Sequence, residues 1–309
     1  MVSHTCAKPR LCAVVVLYRE TTEQSLTIRS LQKALHDQPH ISSNLFICVY
    51  DNSPLPASLA RELFACEWVA FQPRRNLGLA EAYNTALQVA QQNGMEWLLL
   101  LDSDTAVTAS FLNACVETTL AMEPHPHVGA VIPHVSDEGR PQSPRWAKAL
   151  RRAPVDASVS GMLNKEIVAL NSGSAVRVSA VLKLGGFNKE FWLDYLDYWL
   201  FRALHAQGYC VYLLAERLEH SLSFADPTTR MTSQRYENML QAEHYFVATF
   251  GSPWEQIRLK LVLLKRALKF GCFDRNWRFV LLTARELFRR APKASVRANK
   301  NVPQLTDKH

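Results

Sequence analysis

No Cys-x-x-Cys pair occurs in this chain, and its seven cysteines (Cys6, Cys12, Cys48, Cys66, Cys115, Cys210, Cys272) are scattered and odd in number. A disulfide framework and a structural zinc site are therefore not expected, and a reducing compartment is. No stretch approaches the roughly 18 to 20 apolar residues that a membrane span needs. The polar segment Met1–Arg10 lacks the apolar core of a signal peptide. The first strand-like run is followed by Tyr18-Arg19-Glu20-Thr21-Thr22, which contains no glycine. That disfavours a nucleotidyltransferase, which would want a glycine-rich phosphate loop there. Acidic residues are scarce in one region only. Residues 255–309 hold 14 of the 35 Lys/Arg but only 4 of the 28 Asp/Glu, a balance of +10 that leaves −3 for the other 254 residues. The basicity belongs to the tail, which argues against a nucleic-acid-binding catalytic body and for a tail that meets an anionic surface.

What is present suits a globular enzyme: 309 residues, 48% hydrophobic and 20% charged. The first half alternates strand-like and helix-like segments. Leu11–Leu17 reads as a buried strand, Ser25–His36 as a helix and Leu45–Tyr50 as a second strand ending in Asp51-Asn52-Ser53-Pro54. A short strand, Trp68–Gln72, precedes a helix over Leu79–Gln92 that closes at Asn93-Gly94. Repeated strand-helix-strand units imply a doubly wound, mostly parallel sheet with functional loops along one edge. The middle, Pro124–Asn164, is rich in Pro, His and Arg; the spacing of His125, His127 and His134 matches no helical metal motif. A further organised block, Val168–His220, carries a helix over about Tyr198–Gln207.

The most informative segment is Trp97-Leu98-Leu99-Leu100-Leu101-Asp102-Ser103-Asp104. Its apolar run has the length of a strand buried on both faces. The two aspartates then project from a carboxyl edge, where open α/β sheets bind ligands. At this spacing they can share one hard cation. Taken alone, the pair is weak evidence for a metal site, since either Asp could simply cap Thr105–Thr119 as a helix start.

An ordered series of segments removes much of that ambiguity. Val14-Val15-Val16-Leu17-Tyr18, Val49-Tyr50-Asp51-Asn52-Ser53, Asn76-Leu77-Gly78 through Asn84, and Leu101-Asp102-Ser103-Asp104 are followed by Ser172-Gly173-Ser174 and Gly185-Gly186-Phe187. Together, over roughly Leu11 to Phe250, they resemble a family 2 glycosyltransferase of the GT-A fold. Phe191-Trp192-Leu193-Asp194-Tyr195-Leu196-Asp197 is most similar to rhamnosyltransferase-like members. The chain departs from the pattern at Arg19, where the family has Asn, and at Tyr198-Trp199, where it has a second acidic residue.

The resemblance implies an inverting transfer of a sugar from a nucleotide donor, with dTDP-rhamnose the leading candidate and another UDP- or dTDP-sugar the alternative. It implies Mn²⁺ or Mg²⁺ as cofactor, with Asp104 as the first metal ligand, Asp102 on the ion or the ribose, and His220 as a further metal or phosphate contact. Tyr18, Asp51, Arg75, Asn76, Gly78, Asn84, Ser172 and Gly173 would line the donor site. Asp51 would accept hydrogen bonds from the base or ribose, although an Asx-turn explains it as well. Asp197 would be the base that deprotonates the acceptor hydroxyl, with Asp194 as its rival and simple N-capping as the structural alternative.

The tail Trp254–Arg290 offers two amphipathic helices studded with Lys and Arg, which either lie on a membrane surface or pack on the catalytic body. The expected organisation is a catalytic domain over 11–250, a basic helical extension over 251–290 and a polar, disordered tail over 291–309. The expected setting is the inner face of the cell membrane, with a glycan or lipid-linked acceptor in surface polysaccharide synthesis and no nucleic-acid partner. A non-catalytic glycan- or membrane-binding relative is the other reading.

Overall fold

The computed structural model describes residues 10–56, 58–60, 62–147, 153–219 and 231–289. Its strands are β1 (Leu11–Leu17), β2 (Leu45–Asp51), β3 (Glu67–Phe71), β4 (Trp97–Asp102), β5 (Val128–Asp137), β6 (Arg140–Ser143), β7 (Arg145–Trp146), β8 (Gly161–Leu163), β9 (Ile167–Val168), β10 (Ser174–Arg177) and β11 (Cys210–Glu219). The α-helices are α1 (Leu26–Asp37), α2 (Leu79–Gln92), α3 (Ala109–Met122), α4 (Val178–Lys183), α5 (Leu196–Ala206), α6 (Ser233–Phe250), α7 (Pro253–Cys272) and α8 (Trp277–Leu287). The main sheet runs β3-β2-β1-β4-β10-β5-β11-β8, with β6 paired on β5. β1 to β4 are parallel, β10 is antiparallel to both its neighbours, and β11 is parallel to β5. This is the doubly wound, mostly parallel sheet expected from the sequence.

The buried runs explain themselves by being covered on both faces. Leu11, Ala13, Val15 and Leu17 of β1 pack with Ile28, Leu31 and Leu35 of α1 and Phe111 and Leu112 of α3. The alternate residues Cys12 and Val14 turn to the other face, where α2 contacts β1 and β4. α1 starts where Ser25 accepts a hydrogen bond from the Ile28 amide. One buried cation lies deep in this core. Arg177 stacks 4.4 Å over the Trp97 ring and donates to the carbonyls of Val128 and Met122, so its charge is not left unsatisfied.

Packing divides the chain into two compact units. The first takes the described parts of residues 1–188 and 200–221, and the second those of 189–199 and 222–309. In the second, Tyr236 and Leu240 of α6 bury against Leu259 and Leu263 of α7 and Phe279 of α8. Tyr236 and Phe279 stack at 4.4 Å, and the Tyr236 hydroxyl pairs with Thr283 Oγ1 at 2.7 Å. The sequence-based boundary at residue 250 sets α6 apart from α7, whereas this shared core joins them. A capping box between Ser252 and Glu255 starts α7. Among the described residues no helix is long and apolar enough to cross a membrane.

Candidate active site

The parallel register puts two aspartates on either side of one strand end. Leu17 pairs with Asp51 and Val16 with Asp102, so both residues lie beside the carboxyl end of β1, one register step apart and on alternate faces of the sheet. Two strand spacings separate them, about 10 Å. A cleft of about 390 Å³ opens beyond the ends of β1 and β2, lined by Arg19, Glu20, Thr21, Ser53, Pro54 and Leu55. Tyr18 stands half-exposed at this edge with the Arg19 guanidinium 5.1 Å from its ring centroid. Asp51 is buried, and its Oδ1 accepts from the Ser53 amide at 2.9 Å, so the Asx-turn is real. Asn52 extends the arrangement. Its side chain donates to Gly78 O and accepts from the Leu77 amide, both at 3.1 Å, which ties Asn76-Leu77-Gly78 to the end of β2. Asn76 Oδ1 in turn accepts from the Gly78 amide at 3.0 Å. Arg75 is exposed next to this loop.

Asp102 and Asp104 are not helix caps. The N-cap of α3 is Thr108, whose hydroxyl accepts from the Phe111 amide. The Asp102–Thr105 turn is held by hydroxyls from distant segments. Ser25 donates to Ser103 O at 2.8 Å, and Thr27 Oγ1 bonds Asp102 O and accepts from the Thr105 amide. Ser30 Oγ accepts from the Val107 amide at 3.0 Å. Ser172 closes the other side, accepting from the Asp102 amide at 3.1 Å and pairing with the Thr105 hydroxyl. The carboxylates therefore project from a turn whose backbone is fixed in advance, as a preorganised binding site requires. Thr27, Ser25 and Ser30 carry no signal in the sequence beyond being hydroxyls at the start of a helix.

Other sequence-selected residues have packing tasks. Gly173, at φ 84°, is buried, and a Cβ on it would come within 2.6 Å of Leu218 Cδ1 and 3.0 Å of Pro133 Cγ. The close approach this glycine allows is to the protein's own sheet, where its amide bonds Leu100 O at 2.8 Å. Gly173→Ala is expected to lower stability by about 1–3 kcal/mol in urea denaturation, since both strain and overpacking oppose it. Asn84 spends its carboxamide on Phe187, donating to the carbonyl and accepting from the amide at 2.8 Å each. It clamps the Gly185-Gly186-Phe187 turn to α2, and a Cβ on Gly186 would strike it at 2.6 Å. His134 is likewise a core residue, with Nε2 2.9 Å from Val159 O.

Asp194 and Asp197 belong to the second unit. α5 begins at Leu196, so Asp197 lies inside its first turn rather than at the N-cap, with Oδ1 accepting from the Tyr198 amide at 2.8 Å. Asp194 is enclosed. Its side chain is 10% exposed and 3.9 Å from Arg235, and burial raises its carboxyl above the usual range while Arg235 opposes the rise. Between them Tyr195 adopts φ 68°, a costly conformation for a tyrosine. Glu243 of α6 holds it: burial, together with the hydrogen bond and charge of Glu243, pushes the Tyr195 hydroxyl well above its usual value. Arg266 of α7 grips the same Glu243 through both nitrogens at 2.5 and 3.1 Å. A chain of charged and polar groups from α7 through α6 thus fixes the segment that carries both aspartates.

A divalent cation fits the first-unit turn by donor chemistry. Asp102 and Asp104 offer hard oxygen ligands, and Mg²⁺-type ions accept one or two carboxylates with water and phosphate oxygens completing the shell. Among the described residues no group of three or more His, Cys, Asp or Glu gathers to hold a metal. His220, the third expected ligand, lies outside the described residues.

Comparison with known proteins assigns the class. The model of the family "Glycosyl transferase family 2" matches residues 12–182, and the chain belongs to that family. No curated protein matches significantly. Among solved structures, S. aureus TarS is similar over 86% of this chain at 15% identity and a TM-score of 0.50. This chain spans only 44% of the TarS chain. A mannosyltransferase of Pyrobaculum calidifontis, PcManGT, solved in complex with GDP-Man and Mn²⁺, matches over 91% of this chain and 87% of its own at 16% identity and a TM-score of 0.52. At such identities the likeness is one of fold.

Proposed function

We propose that the protein is an inverting, metal-dependent glycosyltransferase that moves a sugar from a nucleotide donor to a glycan or lipid-linked acceptor in surface polysaccharide synthesis, working at the inner face of the cell membrane. The observation that carries the reading is the pair Asp51 and Asp102 flanking the end of β1, with the Asp102–Asp104 turn braced by Thr27 and Ser172. Asp51 and the cleft beside it receive the nucleoside, and Asp104 with Asp102 would hold a Mn²⁺ or Mg²⁺ ion. When bound, such an ion would supply positive charge at the departing diphosphate; the PcManGT complex with Mn²⁺ supports this reading. Asp197 accepts the proton of the acceptor hydroxyl as its oxygen bonds to the anomeric carbon. The anomeric bond to the diphosphate breaks with its electron pair leaving on phosphate, and one direct displacement inverts the anomer. Asp194, paired with Arg235, is less suited to this contact.

Rhamnose from dTDP-rhamnose is the favoured donor, on the likeness of Asp194-Tyr195-Leu196-Asp197 to rhamnosyltransferase-like members. The test is release of nucleoside diphosphate from dTDP-rhamnose, UDP-glucose and GDP-mannose with Mn²⁺ or Mg²⁺. Turnover is expected with one donor and a divalent ion, dTDP-rhamnose first. Absence of release from all three, with no calorimetric binding of dTDP, UDP or GDP, would favour the non-catalytic relative instead.

A further inference from the structure

α7 and α8 each use only one of two apolar faces internally. At roughly 100° per residue, Trp254, Ile257, Leu261, Leu264 and Leu268 of α7 fall within an arc of about 80°. All five are exposed, from 47% at Leu264 to 71% at Trp254. Leu259 and Leu263 lie on the opposite arc, where they form the core with α6 and α8. Exposed Arg258, Lys265 and Lys269 border the outward stripe on one side and exposed Lys260 on the other. α8 repeats the design. Trp277, Leu281 and the C-cap residue Phe288 are 66%, 61% and 82% exposed, while Phe279 and Thr283 face inward. Arg278 and Arg285, both exposed, flank that second stripe.

We infer that these two stripes dock the protein on an anionic phospholipid surface, inserting their apolar side chains at the headgroup boundary. Apolar stripes edged by cations, with a Trp near the start of each helix, are the chemistry of interfacial helices. Charge selects this occupant over the others. A second copy would set Lys and Arg against Lys and Arg across a symmetric contact, with no acidic flank to meet them. The chain's own residues 291–309 carry Lys293, Arg297, Lys300 and Lys308 against Asp307, the same sign again. Anionic lipid supplies the missing negative charge.

The inference deepens the membrane placement proposed above, and its test involves no sugar transfer. The full chain is floated with phosphatidylcholine vesicles and with vesicles in which part of that lipid is replaced by phosphatidylglycerol. Expected is at least a tenfold preference for the anionic vesicles that weakens with salt. A variant carrying Ile257→Ser, Leu261→Ser and Leu264→Ser is expected to lose at least tenfold in binding with an unchanged thermal unfolding profile, because these side chains are already exposed. A second variant, Lys260→Glu with Lys265→Glu, leaves the apolar stripe intact and is expected to abolish the anionic preference. Equal binding by wild type and both variants, or no binding by the wild type, would overturn the inference. So would a concentration-dependent dimer in light scattering that the triple-serine variant dissolves, since that makes the occupant a second copy. Nucleoside diphosphate release that persists while flotation fails leaves the transferase reading standing; flotation without release does the reverse.

Discussion

Asp104→Ala is expected to lower metal-dependent release of nucleoside diphosphate by about 10³-fold or more while leaving the protein folded. A bound cation contributes several kcal/mol at a developing negative charge, and each 1.4 kcal/mol is a factor of ten. The two halves of the expectation rest on separate observations. The turn keeps its shape through Ser25, Thr27 and Ser172, which bond to the backbone of Asp102, Ser103 and Thr105 or to the Thr105 hydroxyl. Removing the Asp104 carboxylate leaves those bonds in place, so the melting temperature should stay close to that of the wild type. Asp104→Asn, which keeps the shape and loses the charge, should resemble Asp104→Ala in rate and should need much more Mn²⁺ for half-maximal turnover. Full activity in either variant would remove Asp104 from the metal site.

The strands and helices that position this turn were legible because their signals are local. β1 spans the predicted Leu11–Leu17 and α2 the predicted Leu79–Gln92. β4 reaches one residue past its apolar run, to Asp102. The cap of α3 was misplaced by the alternative reading because two aspartates and a threonine compete for the role, and only the backbone shows that Thr108 takes it. The hydroxyl brace was illegible for a different reason. Ser25 and Thr27 reach Ser103 and Thr105 across more than 70 residues of sequence, and a serine or threonine at a helix start has an adequate local explanation. Asn84 and Gly173 show the same limit from the other side. Both residues sit in family-like segments, yet their contacts are to Phe187, Leu218 and Pro133. In α7 the apolar residues at 257, 259, 261, 263 and 264 are spread around the helix, so periodicity alone could not say which face was buried. The core formed with Tyr236 and Phe279 decides it.

Asp197→Asn and Asp194→Asn are expected to have opposite consequences. A general base contributes roughly 10²–10⁴-fold, so Asp197→Asn should cut kcat by that factor with little change in donor binding. Asp194 is 10% exposed and faces Arg235, which leaves it poor access to an acceptor hydroxyl and makes its effect one of stability. Burial raises its carboxyl above the ordinary value in spite of Arg235. A raised pKa means that the folded state holds this proton more tightly than the unfolded chain. Its contribution to stability is therefore fully present below the unfolded pKa, about 4, and is lost as pH rises through the folded value. Asp194→Asn removes that loss. Relative to wild type, the variant should gain stability in urea denaturation on going from about pH 4 to about pH 7. The assignment fails if Asp194→Asn is the variant that loses turnover while Asp197→Asn retains it. Tyr195, held at φ 68° by Glu243 and Arg266, would then serve to aim Asp194 rather than to start the helix that carries Asp197.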